Sequence, residues 1–261
     1  MPEFTDQLGR TIHLPATPRR IISLVPSQTE LLYSLGLEGS VVGITRFCVH
    51  PDSWFHQKSR IGGTKAVDPV RVDALQPDLI IAGKEENERP QVEALAERYP
   101  VWVSDVKTLA DALQMIRAVG ELTGAAPAAD TLAHEIDRRF ATLETPARQR
   151  VAYLIWKNPW MAAGGDTFIH QMLEFAGFSN IFANQPRYPE MDLTQLAGQT
   201  PLTILLSTEP YPFRERHIRE IQETLPNARV QLVDGELFSW YGSRLLLAPA
   251  YFRQLRETIL P

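Results

Sequence analysis

Cys48 and His50 stand two residues apart as a Cys-x-His pair, and a thiolate and an imidazole both ligate soft or borderline metals. No second pair at metal-ligand spacing follows it, which argues against a structural zinc site of four protein donors. Two roles remain for the pair. His50 can reach a metal centre that a ligand brings with it, such as cobalt or haem iron, or both residues can serve as plain contact and packing groups. A Cys–His nucleophile is a third arrangement, but residues two apart rarely face each other and no acid is spaced to orient the imidazole.

The run Lys84-Glu85-Glu86-Asn87-Glu88-Arg89 follows an apolar stretch directly. Such a run is either a solvated face or a row of donors and acceptors, from Lys84, Glu85, Glu86 and Asn87, for ligand amides and carboxylates. Lys157, beside Trp156, and Arg244, near the entry to the last helix, are candidates of the same kind. Gly164-Gly165-Asp166-Thr167 reads as a turn and helix cap with Asp166 accepting backbone N–H groups. It is no phosphate loop, because neither a Walker lysine nor a G-x-G-x-x-G pattern occurs. A nucleophile–base–acid set is also missing: Ser27 is accounted for by capping and His170 falls inside a helical segment. A ligand binder that requires no cofactor is therefore expected before an enzyme.

The elements that must position these groups alternate. Strand-like runs at 20–25, 41–45, 79–83 and 101–105 are interleaved with helical segments at 27–36, 68–75 and 89–98, the signature of parallel βαβ units. Ser27 and Glu30 have the spacing of a capping box. Helices follow at 108–123 and 127–145, the second about 28 Å long at ~1.5 Å per residue. The alternation resumes with strand 151–156, helix 166–176, helix 192–197, strand 203–207, helix 214–224, strand 229–233 and a closing helix over 243–260. The expected fold is α/β, with two three-layer α/β/α lobes joined by a single long backbone helix: an N-terminal lobe over 1–107, connecting helices over 108–147 and a C-terminal lobe over 148–261.

In open parallel sheets, ligands settle beyond the carboxyl ends of the strands. The loops there, 46–60, 84–89, 156–165, 209–214 and 235–244, hold Phe47, Trp54, Trp156, Trp160, Tyr211, Phe213, Phe238, Trp240 and Tyr241. Aromatic rings in such loops give flat contact area suited to a large planar ligand, although each alone can equally be lobe packing. The 261-residue chain carries a net charge of −5 with no Lys/Arg block, which argues against nucleic acid. No apolar run approaches the ~20 residues of a membrane span. The start at Met1 shows neither a basic segment nor an apolar stretch, so a cytoplasmic location is expected, or a periplasmic one if a leader has been removed.

Several segments in order resemble the substrate-binding proteins of cobalamin, haem and iron-chelate ABC importers. They are Arg20–Leu32, Gly36-Leu37 with Val41-Val42-Gly43-Ile44, Leu75–Ala82, Val101-Trp102-Val103, Gly120-Glu121-Leu122-Thr123-Gly124, Gly177–Phe182 and Ser243-Arg244. The resemblance covers nearly the whole chain. It implies a bilobal clamp that grips its ligand with little hinge closure, and a corrinoid first, then haem or a ferric chelate, as that ligand. Transporting members present a surface glutamate on each lobe to the membrane permease; those places align with Val70 and Thr194, which puts permease docking in doubt. Asp68, Asp73, Glu190 and Asp192 are the nearby acids that could substitute. The tryptophan that many cobalamin binders present in the first lobe aligns near Thr64.

Overall fold

The computed structural model describes residues 2–144, 149–199 and 202–259. These group into two compact units. One comprises Met1–Val106, Ala110–Asp137 and Tyr241–Arg244; the other comprises Lys107–Leu109, Arg138–Trp240 and Leu245–Pro261. The expected helix end at Thr145, the boundary at 147/148 and the chain's last two residues lie outside the described residues.

The first unit opens with a hairpin, β1 (Glu3–Thr5) and β2 (Thr11–His13), too short to show an alternating pattern. Then come β3 (Ile21–Ser23), α1 (Pro26–Ser34), β4 (Val41–Ile44), α2 (Asp52–Gln57), β5 (Ser59–Arg60), α3 (Pro69–Leu75), β6 (Leu79–Gly83), α4 (Arg89–Ala96) and β7 (Val101–Ser104). The five strands of its sheet run parallel in the order β5-β4-β3-β6-β7. Every position of β3, β6 and β7 is buried, as a parallel sheet covered on both faces requires. The strand order reverses direction at β3 and β6, and ligands favour that switch point. There α1 starts one residue earlier than expected. Pro26 occupies its first turn and Val25 is its cap, without a side-chain bond, so Ser27 lies inside the helix and the expected Ser27/Glu30 capping box is not formed.

Two helices follow, α5 (Leu109–Thr123) and α6 (Ala126–Phe140). They meet at Gly120, where a Cβ would stand 2.3 Å from that of Ala129. The chain passes from the first unit to the second within α6, between Asp137 and Arg138. At 15 residues α6 runs about 22 Å. It stops short of the expected 145 because the backbone turns back at Thr142 and Leu143, whose N–H groups bond to Arg139 and Phe140. Phe140 is itself buried edge-on to Phe175, 5.0 Å between ring centres.

The second unit contains β8 (Gln149–Trp156), β9 (Trp160–Ala162), α7 (Phe168–Phe175), β10 (Phe178–Asn180), β11 (Glu190–Met191), β12 (Thr203–Ser207), α8 (Glu215–Thr224), β13 (Arg229–Val233), α9 (Glu236–Ser239) and α10 (Ala248–Ile259). Its sheet has the order β11-β9-β8-β12-β13, with β10 paired to β8. The β8, β12, β13 and β10 pairings are parallel, and β9 and β11 form an antiparallel edge. The expected helix at 192–197 is a single 3-10 turn, Leu193–Leu196, and the expected closing helix over 243–260 divides into a 3-10 turn, Ser243–Leu246, and α10. The cap of α7 is Thr167, not Asp166, whose carboxylate instead accepts the Arg187 N–H across the neighbouring loop.

Candidate functional site

At the carboxyl edge of the first unit's sheet, the β3–α1 turn and the β4, β6 and β7 ends converge on buried polar groups. The Thr29 hydroxyl lies 2.7 Å from Ser23 Oγ and 3.1 Å from Cys48 Sγ, which also lies 3.2 Å from Thr45 Oγ1. Cys48 is fully buried, and burial pushes its thiol upward. A protonated, enclosed thiol is a poor nucleophile and a poor metal ligand, so Cys48 packs where a ligand contact had been expected. His50 is half-buried in the same loop. Among the described residues no cluster of three or more His, Cys, Asp or Glu side chains could hold a metal ion. Phe47 is 48 % exposed, with the Arg46 guanidinium 5.0 Å from its ring centre.

The run after β6 divides by role. Asn87 is consumed by backbone: its Oδ1 accepts the Gly83 N–H and its Nδ2 donates to the carbonyl of Thr64, both at 2.9 Å. Thr64 is itself buried. Lys84 pairs with Asp105 at 2.5 Å. Glu85 is exposed, while Glu86 is half-buried. Desolvation first, then the adjacent Glu85 charge, push the Glu86 carboxyl up to about 7 against a smaller opposing pull from Lys65. Tyr241 is buried beside this loop; burial and the Glu86 and Glu85 charges hold its phenol far above the usual range, and its hydroxyl bonds to Ser104. Arg244 makes a bidentate pair with Glu30, at 2.6 and 3.0 Å. Glu30 therefore anchors a residue 214 positions away instead of capping its own helix.

At the carboxyl edge of the second unit's sheet the groups are aromatic. Trp156 is 40 % exposed and meets Tyr211 edge-on, 5.5 Å between ring centres. Tyr211 contacts Phe213 at 4.6 Å, and Phe213 stacks flat on Trp160 at 5.9 Å. Lys157 lies 5.6 Å from the Trp160 ring centre and bonds to Glu220 at 2.5 Å. His217, not singled out in the sequence reading of its charged helix, is buried behind this cluster. A recess of about 530 Å³ opens at the ends of β12 and β13, lined by Thr208, Glu209, Asp234 and Glu236. Two expected contacts lie inward instead. Phe238 is fully buried among Tyr153, Tyr251 and Phe252, and Trp240 is also buried, because α9 turns its apolar face to the core.

The positions aligned with the docking glutamates sit on the surface. Val70, in the first turn of α3, is 74 % exposed. Its neighbours are committed: Asp68 caps α3 through the Val70 and Arg71 N–H groups, and Asp73 accepts from the Tyr99 hydroxyl at 2.7 Å and from Arg98 at 2.8 Å. Those bonds, Tyr99 first, hold the Asp73 carboxyl below its usual range. In the second unit Asp192 accepts from both the N–H and the hydroxyl of Thr194, at 2.8 and 2.7 Å, leaving Glu190 exposed in β11.

No helix among the described residues is long and apolar enough to cross a membrane. The chain is 25 % identical over 241 residues to a vitamin B12-binding protein of Pectobacterium carotovorum, covering 89 % of this chain and 86 % of that protein. It is also 25 % identical over 271 residues to an ABC transporter substrate-binding lipoprotein of Bacillus subtilis, covering 98 % and 84 %. The crystal structure of the periplasmic vitamin B12 binding protein of Vibrio cholerae superposes with a TM-score of 0.76 at 21 % identity, covering 93 % of this chain and all of that one, a likeness of fold. A family model described as periplasmic binding protein matches residues 21–224. With the parallel sheets of both units matching that fold and the match spanning most of the sequence, the chain belongs to the periplasmic binding protein family.

Proposed function

We propose that this protein is a non-enzymatic carrier of a metal-containing ligand, a corrinoid first, with haem and ferric chelates as the second class. The observation that carries the reading is the aromatic edge of the second unit. Trp156 stays 40 % exposed while Tyr211 and Phe213 back it, with Trp160 stacked on Phe213. Burying an exposed indole against a large flat ligand gains apolar area with little loss of side-chain freedom. Taken by itself, the first unit carries polar groups of the kind that meet amides or carboxylates: Glu85, Glu86 and the paired Lys84 and Arg244. Phe47 adds an exposed ring and His50 a nitrogen able to meet a ligand-borne metal. Kinship with a vitamin B12-binding protein supports the same class.

The test is a thermal-denaturation screen with cyanocobalamin, cobinamide, haemin and ferric siderophores. A ligand present at about 100 times its Kd adds roughly 2.7 kcal/mol of stability, a readily measured rise in Tm. A rise with a corrinoid is expected; no rise with any of the four classes would defeat the reading.

The carrier acts without docking on an ABC permease. Supporting this are the uncharged Val70 and Thr194 at the aligned positions and the engagement of Asp68, Asp73 and Asp192 in local bonds. With Val70 and Thr194 uncharged at the aligned places, the charge pairing that would orient the protein on a permease is weakened. Fractionation of native cells is expected to recover the protein outside the periplasm, and recovery in the periplasmic fraction would overturn this part.

A further inference from the structure

We infer that His217 is the positioning residue of the second unit's aromatic edge, and that its neutral ring holds Tyr211 and Phe213 in place so that ligand grip is lost on protonation. The inference rests on the binding role proposed for Trp156. His217 is the third residue of α8, and its Nδ1 accepts the backbone N–H of Arg214, the helix cap, at 2.9 Å. This is the reciprocal half of a capping box, in which a side chain in the first turn satisfies the cap N–H. An Nδ1 that accepts must be unprotonated, so the neutral ring carries its proton on Nε2, 3.5 Å from the Tyr211 hydroxyl. The same ring meets Phe213 edge-on at 5.3 Å and Tyr211 at 5.5 Å. One imidazole thus fixes the helix start and both rings that support Trp156 and Trp160.

Protonation would remove the acceptor, free the Arg214 N–H and set a cation at the positive end of α8. The charged groups facing the ring are Arg216 and Glu220 from α8 and Lys157 from the β8–β9 turn, with Tyr211 the nearest titratable neighbour. Arg216 Nε lies 3.2 Å from Nε2, so in this tautomer an N–H of each group faces the other in the neutral ring already, and protonation of Nδ1 adds ring charge beside the guanidinium. Desolvation first, then Arg216 and Lys157, lower the His217 pKa against the weaker pull of Glu220. The neutral ring is therefore the resting form near pH 7, and the cap is lost as pH falls below the usual histidine range of about 6.5.

The experiment follows tryptophan fluorescence of the ligand-free protein from pH 8 to 4.5, and cyanocobalamin affinity across the same range, in the parent, His217→Gln and Trp156→Phe. Glutamine retains a cap acceptor and does not titrate. The parent is expected to show a fluorescence transition below about pH 6.5, smaller in Trp156→Phe and absent in His217→Gln, with affinity falling up to about tenfold per pH unit below the midpoint. His217→Gln, which keeps the cap acceptor but not the ring contacts with Tyr211 and Phe213, is expected to bind more weakly than the parent at pH 7.5 and to lose the pH dependence. A transition that persists in His217→Gln, or no transition in the parent, overturns the inference. If the fluorescence transition behaves as expected while cyanocobalamin does not bind, the ligand reading fails and the role of His217 stands. Far-UV circular dichroism of each variant separates misfolding from a local effect, and His217→Asn offers a second neutral acceptor if glutamine does not fold.

Discussion

Phe238→Ala is expected to lower the unfolding free energy by about 3–5 kcal/mol, the cost of deleting a buried aromatic ring and leaving its cavity. Loop position made Phe238 a ligand candidate, but the ring is fully buried and tilted against Tyr153 at 5.1 Å and Phe252 at 4.9 Å. Urea denaturation of the ligand-free protein measures the loss, and Phe238→Leu, which keeps most of the volume, should recover much of it. Binding by folded Phe238→Leu should match the parent. A small stability change with a large loss of affinity would return Phe238 to the ligand site.

Glu86→Gln should remove a pH dependence that runs opposite to that of His217. The folded protein pushes the Glu86 carboxyl up to about 7 from an ordinary 4.5, so the folded state binds its proton more tightly than the unfolded chain. The corresponding stability is fully present below about pH 4.5 and is lost as pH rises through about 7. Since the side chain is only partly enclosed, the loss by pH 8 should be on the order of 2 kcal/mol after solvent screening. Glutamine carries no charge, so the variant should be flatter between pH 5 and 8 and more stable than the parent at pH 8. Denaturation curves at pH 5, 6.5 and 8 measure this; a Glu86→Gln protein with the parent's slope would assign the effect elsewhere.

Both predictions turn on which side chains are buried, and there the sequence was least informative. The parallel strands were readable because Ile21–Ser23, Leu79–Gly83, Val101–Ser104 and Thr203–Ser207 are short apolar runs between amphipathic segments, and all are buried throughout. The hairpin of β1 and β2 and the edge strands β5 and β11 contain two or three residues each, too few to set a period. Helix starts failed where two caps competed: Pro26 took the first turn from Ser27, and Thr167 capped α7 in place of Asp166.

Loop position places Trp156, Trp160 and Tyr211 at or near strand ends but does not separate exposed rings from inward ones such as Phe238, because both kinds lie there. Glu30 and Arg244 lie 214 residues apart, and nothing local links them. His217 sits in Arg214-Glu215-Arg216-His217, which reads as a solvated helix face, yet its ring turns inward. A histidine three residues after a cap was the one signal available, and Glu or Gln is the commoner residue there.

The proposed grip of the aromatic edge around Trp156 on a metal tetrapyrrole is directly measurable. The most direct measurement is a fluorescence titration of the purified protein with cyanocobalamin, run beside Trp156→Ala. Saturable quenching at one ligand per chain is expected, with affinity reduced at least about tenfold in the variant, as for a buried aromatic anchor. Saturation in the parent with unchanged affinity in Trp156→Ala, or no saturable change with cobalamin, cobinamide or haemin, would contradict the account.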